Sequence, residues 1–345
     1  MSRSRRPRLL ATLAAPLVLA LAAGTAIAQS PAPTAAPVEL TPLTVGLGYI
    51  PSVQFAQFYL ADQAGYYRDA GLEVTFQNQI DPELITLIAQ GAVDIGMGDG
   101  TSVIPARSQG IPVRYAATIY ARFPSVVFAK TSSGITTAAD LAGRRLGTPG
   151  KFGSGWIMLQ ALLGSAGLTP DDVTLTLFPD FGQGAAVLND QVDAATGFAN
   201  NEPVQVALQG DEVTVLRVDD VVPLPGPGLV VGDATLAAKG DALRAFVGAT
   251  LRAMAEIAAD PQLGLDATFA HVPELAADPD TQRAILDATI DGWNNAYTDT
   301  AGLGAIDADA WEKTVAFLLT MPGTPLLGPV PVEDLITNDL LPTAP

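Results

Sequence analysis

The sequence predicts an α/β protein built as two lobes, each around a sheet dominated by parallel strands. Apolar runs of strand type alternate with helical patterns along most of the chain, the order that builds parallel sheets. One strand-and-loop grammar occurs twice, about a hundred residues apart, as "VDIGMGDG" at 93–100 and "VDAATGFANN" at 192–201. The length of 345 residues also exceeds the ~250–300 at which a single core stops growing.

The first 28 residues read as an export leader. Arg3, Arg5, Arg6 and Arg8 precede an Ala/Leu-rich run at 9–27, and Ala26-Ile27-Ala28 is a small-residue cleavage site. Residues 29–42 are a Pro/Ala-rich tether, and 43–47 the first strand. Asp81-Pro82-Glu83 supplies a cap, an N1 proline and a first-turn acid for a helix that Gly91 closes. A strand at 93–97 follows, then an extended crossing at 126–130. A helix at 183–188 and a strand at 192–198 come next, and 213–218 with "VVPLPGPG" at 221–228 reads as the return. Two crossings imply a hinge. Beyond 238 helices are expected at 241–259, 280–295 and 308–321, with Leu243, Phe246, Val247, Thr250, Leu251 and Met254 as one apolar stripe. This block has no strand for a sheet of its own and should pack on the first lobe. The resulting division is lobe 1 at 43–127 and 223–345, and lobe 2 at 128–222.

Charge and cysteine content narrow the function. Loss of the leader's four arginines takes the formal charge from −18 to −22, which should repel nucleic acid and anionic membranes. No second apolar run approaches the ~18 residues of a bilayer span. With no cysteine there is no disulfide, thiolate metal site, Cys nucleophile or lipoprotein acylation. The expected state is a freely diffusing periplasmic monomer. A single histidine, His271 in "FAHVPEL", makes a catalytic triad or zinc site untenable, and no metal or cofactor is expected.

Ligands of open α/β sheets bind beyond strand C-termini. The loops so placed offer Tyr49, Gln54 and Phe55; Asp99; Tyr120, Arg122 and Phe123; Lys151, Phe152, Ser154 and Trp156; and Phe198, Asn200 and Glu202. Aromatics form only 6% of the chain, so their concentration here suits a flat ligand held between rings, or rings that merely cap the sheets. "GKFGSG" at 150–155 lacks the first glycine and the Ser/Thr of a Walker loop, and Thr101 replaces the third glycine of a dinucleotide fingerprint. Both read as close-approach turns before helix N-termini. In "FANNEP" one amide must cap the helix, a role assigned to Asn201. Asn200 and Glu202 then present donors and acceptors to a heterocycle edge.

"YIPSVQFAQFYLADQAGYYRDAGLEV", "LIAQGAVDIGMGDG", "RSQGIPV", "SSGITTAADLAGRRLGTPG" and "VDAATGFANNEPV" together resemble ABC-importer substrate-binding proteins of the alkanesulfonate/nitrate and thiamine-pyrimidine-precursor group. The match spans most of 43–260. "YARFP" and "FANNEPV" look most like the branch for riboflavin or the thiamine pyrimidine. The resemblance implies a type II periplasmic-binding fold closing on a small heterocycle and delivering it to a membrane permease with its cytoplasmic ATPase. Pyrimidine-synthase relatives offer an enzymatic alternative, but their cysteine-rich motif and active-site histidine have no counterparts here. An oxyanion binder is the other alternative, for which Arg122 and Lys151 are the only basic residues in the candidate loops.

Overall fold

The computed structural model describes residues 39–78, 83–321 and 326–342. The expected leader, most of the tether, and Asp81 and Pro82 of the expected helix cap lie outside them. Among the described residues no helix is long and apolar enough to cross a membrane.

Among the described residues ten strands form two sheets: β1 (Thr41–Leu47), β2 (Leu72–Asn78), β3 (Ile95–Gly98), β4 (Val113–Thr118), β5 (Ser125–Lys130), β6 (Arg145–Thr148), β7 (Thr174–Leu177), β8 (Ala194–Phe198), β9 (Val213–Arg217) and β10 (Gly228–Gly232). The sheet orders are β2-β1-β3-β10-β4 and β7-β6-β8-β5-β9. In each sheet four strands share a direction, and β10 or β5 runs against both its neighbours. The opposed strand is in both cases the first after a connection between the sheets. β3 and β8, which carry the repeated grammar, hold the same third position.

One expectation needs correction. Residues 126–130 do not cross between the sheets. Val126, Val127 and Phe128 are fully buried in β5, which pairs with β8 on one side and β9 on the other. A continuous apolar run of this kind is what a strand covered on both faces requires. The connection lies instead at 119–124, and the return, after the edge strand β9, at 218–227.

The long helix Asp233–Ala259 is interrupted at Lys239, whose backbone leaves helical geometry. Past this kink Leu243, Phe246, Val247, Leu251 and Met254 pack with Leu43, Val45 and Leu47 of β1, as the three- and four-residue spacing demands. Pro261–His271 and Pro279–Gly292 add Leu265 and Leu286 to this cluster. Ala308–Thr320 covers the opposite face, setting Trp311, Val315 and Leu318 against Val103, Ile104 and Tyr115. β10 serves both layers, with Leu229 and Val231 in the first cluster and Val230 in the second. The C-terminal helices therefore pack on the first sheet. Both faces being covered, its functional positions are left at strand ends.

Candidate functional site

A cleft of about 180 Å³ lies where the C-terminal ends of β1 and β3 face those of β6 and β8. The antiparallel insertion of β5 brings its first residue, Ser125, opposite Phe198 at the end of β8, so a strand start also reaches the cleft. Of the residues expected from sequence, Tyr49, Gln54, Phe55, Asp99, Tyr120, Phe152, Ser154, Trp156, Phe198 and Glu202 line it.

The aromatic walls come from both sides. The Tyr49 ring meets Phe181 edge-on at 5.2 Å between centroids. Phe181 holds φ of 61°, uncommon for a bulky side chain and worth a functional reading. Burial, reinforced by the nearby Glu202 charge, pushes the Tyr49 phenol up to about 12, against a hydrogen bond with Asn201 that acts in the opposite sense. Phe152 is 47% exposed at the mouth.

Neither asparagine plays the role expected of it. Asn200 does not line the cleft. It is buried, and its amide donates to Gln54 Oε1 at 3.1 Å and Thr289 Oγ1 at 2.8 Å, with Tyr120 Oη at 3.4 Å. It thus ties the loop after β8 to groups packed on the first sheet. Asn201 does occupy the N-cap position of the helix Glu202–Leu208, but its side chain makes no capping bond. With ψ of −90° the backbone departs from the extended cap geometry. Asn201 Oδ1 instead accepts from Gln205 Nε2 at 2.7 Å, and the residue lines the cleft beside Tyr49.

Glu202 is buried and held. The Phe198 N–H donates to Oε2 at 2.9 Å, and Gln183 Nε2 to Oε1 at 3.1 Å. Burial raises its carboxyl above the usual range, opposed by the Phe198 N–H. Gly197 has to be glycine for this: a Cβ there would sit 2.8 Å from Glu202 Oε2.

Sequence reasoning missed Ser125, Thr148, Phe181, Gln183 and Thr196, all of which line the cleft. Thr196 Oγ1 donates to Thr148 Oγ1 at 3.1 Å, and Thr148 in turn to the Gly150 carbonyl at 3.2 Å. The glycine-flanked "DFGQG" at 180–184 was the available signal for two of them. The helix ends differ in openness. Asp99 caps its own helix by accepting from the Thr101 N–H at 2.9 Å and the Ser102 N–H at 3.2 Å. The helix Gly153–Ser165 has no side-chain cap, so its N–H groups near Ser154 are available to a ligand oxygen.

Besides Asn200, three expected residues lie elsewhere. Lys151 is solvent-exposed and sits over the Trp156 ring, 5.6 Å from its centroid. Arg122 and Phe123 belong to the connection at 119–124 and line a separate cavity with Asp219 and Asn295. Because β5 begins only at Ser125, "YARFP" turns Phe123 into the core, where it is 1% exposed. His271 stacks on Tyr59 at 4.2 Å and does not line the cleft. Among the described residues no group of three His, Cys, Asp or Glu is placed to hold a metal ion. Among the described residues the cleft lining contains two carboxylates, Asp99 and Glu202, and no Arg, Lys or His.

A family model described as NMT1/THI5 like matches residues 52–263. The riboflavin-binding protein RibY of Chloroflexus aurantiacus is 37% identical over 335 residues, 94% of this chain and 95% of that one. A 4-amino-5-hydroxymethyl-2-methylpyrimidine phosphate synthase of Aspergillus parasiticus is 28% identical over 220 residues, 60% of this chain and 64% of that one. The alkanesulfonate-binding protein SsuA of Xanthomonas axonopodis pv. citri superposes with a TM-score of 0.66 at 18% identity, covering 87% and 99% of the two chains. That likeness establishes the two-lobed periplasmic-binding fold, and the family match with the near full-length similarity to a binding protein shows that the chain belongs to the NMT1/THI5-like family.

Proposed function

We propose that the protein is the extracytoplasmic solute-binding component of an ABC importer, and that it captures a flat, uncharged heterocycle, riboflavin or a thiamine pyrimidine precursor, without turning it over. One observation carries this reading: among the described residues the cleft is walled by Tyr49, Phe181, Phe152 and Trp156, holds two carboxylates, and offers no side-chain cation. A sulfonate or nitrate would face Asp99 and Glu202 with only the helix N–H groups near Ser154 to offset them. A neutral ring with N–H and C=O groups meets stacking faces and hydrogen-bonding partners instead. The similarity to RibY supports the same class of ligand. The partner would be a membrane permease, and the working state a periplasmic monomer freed from its leader after Ala28.

Capture would need motion. The free volume of about 180 Å³ falls below the ~300–1,000 Å³ of typical small-molecule pockets, so a flavin-sized ligand enters as the lobes part. The connections at 119–124 and 218–227 would serve as hinges between lobe 1 and lobe 2. Titration of the purified protein with riboflavin, the aminopyrimidine and an alkanesulfonate, read by flavin fluorescence and calorimetry, tests the reading. Micromolar or tighter binding of a heterocycle, with a smaller radius of gyration at saturation, is expected. Binding of the sulfonate alone, or conversion of either heterocycle, would overturn it.

A further inference from the structure

Two fully buried polar atoms in the cleft have no protein partner among the described residues: Ser125 Oγ and Gln183 Oε1. Both residues are 1% exposed and both line the cleft. Such atoms are costly to bury unpaired. The neighbouring Thr148 and Thr196 hydroxyls, by contrast, are engaged with each other and with Gly150.

The orientation of the Gln183 amide is not arbitrary. In its ionised form Glu202 offers acceptors only, one oxygen already taking the Phe198 N–H, and Gln183 turns its NH₂ to the other oxygen. Its carbonyl is thereby left for the cleft. Ser125 stands opposite Phe198 in the β5–β8 register, so the unpaired hydroxyl and the unpaired carbonyl both adjoin the strand end that Glu202 anchors. An oxygen that can only accept and a hydroxyl free to donate, both lining one cleft, suit the N–H and C=O of a lactam.

We propose that Ser125 and Gln183 are the specificity-determining residues of the cleft, and that the ligand turns a lactam edge toward them, its ring N–H donating to Gln183 Oε1 and the adjacent C=O accepting from Ser125 Oγ. The inference rests on the heterocycle-binding reading and sharpens it. An isoalloxazine or oxidised pyrimidine carries such an edge, whereas an aminopyrimidine without a ring carbonyl does not.

The test compares riboflavin with 3-methylriboflavin, whose lactam N–H is blocked, on the parent protein and on Ser125→Ala and Gln183→Met. The parent should lose at least about tenfold in affinity on N-methylation, and each variant about tenfold for riboflavin, since each leaves one buried ligand group unpaired. Ser125→Ala should keep the ligand-free melting temperature, because the hydroxyl makes no bond to lose. In Gln183→Met the methylated ligand should suffer no further penalty, as a double-mutant cycle on one contact requires. Equal affinity for the two flavins, or riboflavin binding within twofold of the parent in both variants, overturns the assignment while leaving the function intact. Tight binding of the aminopyrimidine with none of riboflavin also overturns it. Failure of the parent to bind any heterocycle sinks the underlying reading and this one with it.

Discussion

Replacing Asn200 by alanine should weaken ligand binding without removing a ligand contact. The amide has two hydrogens, and the contacts at 2.8 Å to Thr289 Oγ1 and 3.1 Å to Gln54 Oε1 use both; Tyr120 at 3.4 Å is a weaker third neighbour. Thr289 Oγ1 keeps its bond to the Ile285 carbonyl at 2.7 Å. Gln54, 3% exposed, would be left with an unpaired carbonyl, at about 1–3 kcal/mol. If these bonds form only when the lobes are together, about 2 kcal/mol of the loss falls on the closed state and Kd rises about thirtyfold. Isothermal titration with riboflavin measures the affinity, and small-angle scattering at saturation should show incomplete compaction. An Asn200→Ala protein that binds and compacts like the parent would refute the argument, because the bonds would then be irrelevant to closure.

Asn201→Ala should lose affinity rather than fold stability, roughly fivefold, since its side chain supports Tyr49 and makes no capping bond; a titration paired with a melting curve separates the two. Lys151→Ala and Arg122→Ala should bind as the parent does, because neither lines the cleft, and loss of binding in either would revive the oxyanion alternative. Glu202 has a folded pKa above its ordinary 4.5, so its contribution to stability is complete below that pH and is lost as pH rises through the elevated folded value. The melting temperature of the parent should accordingly fall relative to Glu202→Gln from pH 4.5 upward, whereas parallel curves would mean the carboxyl is not perturbed. Gly228→Ala would drive a Cβ into the Ala117 carbonyl and the Tyr115 hydroxyl, and should cost at least about 2 kcal/mol in chemical denaturation.

Pattern alone located part of the element order and much of the rim of the cleft. Periodicity located the helix after Lys239 and its buried stripe, because an amphipathic helix must place apolar residues every third or fourth position. The repeated strand grammar placed β3 and β8, and the strand-end rule then picked out Tyr49, Asp99, Trp156 and Glu202. Folding settled which atoms face the cleft. Whether Asn200 or Asn201 turns inward depends on the backbone torsions of one residue, and adjacent residues in a loop carry no periodicity to tell them apart. Ser125 reaches the cleft only because β5 is inserted antiparallel, so that a strand start lies among strand ends. The run "SVVFAK" announces burial but not direction, since a strand covered on both faces reads the same either way. Gln183 was legible as the first residue of a helix, but the aim of its carbonyl is set by Glu202, nineteen residues on, and only folding brings those two side chains together.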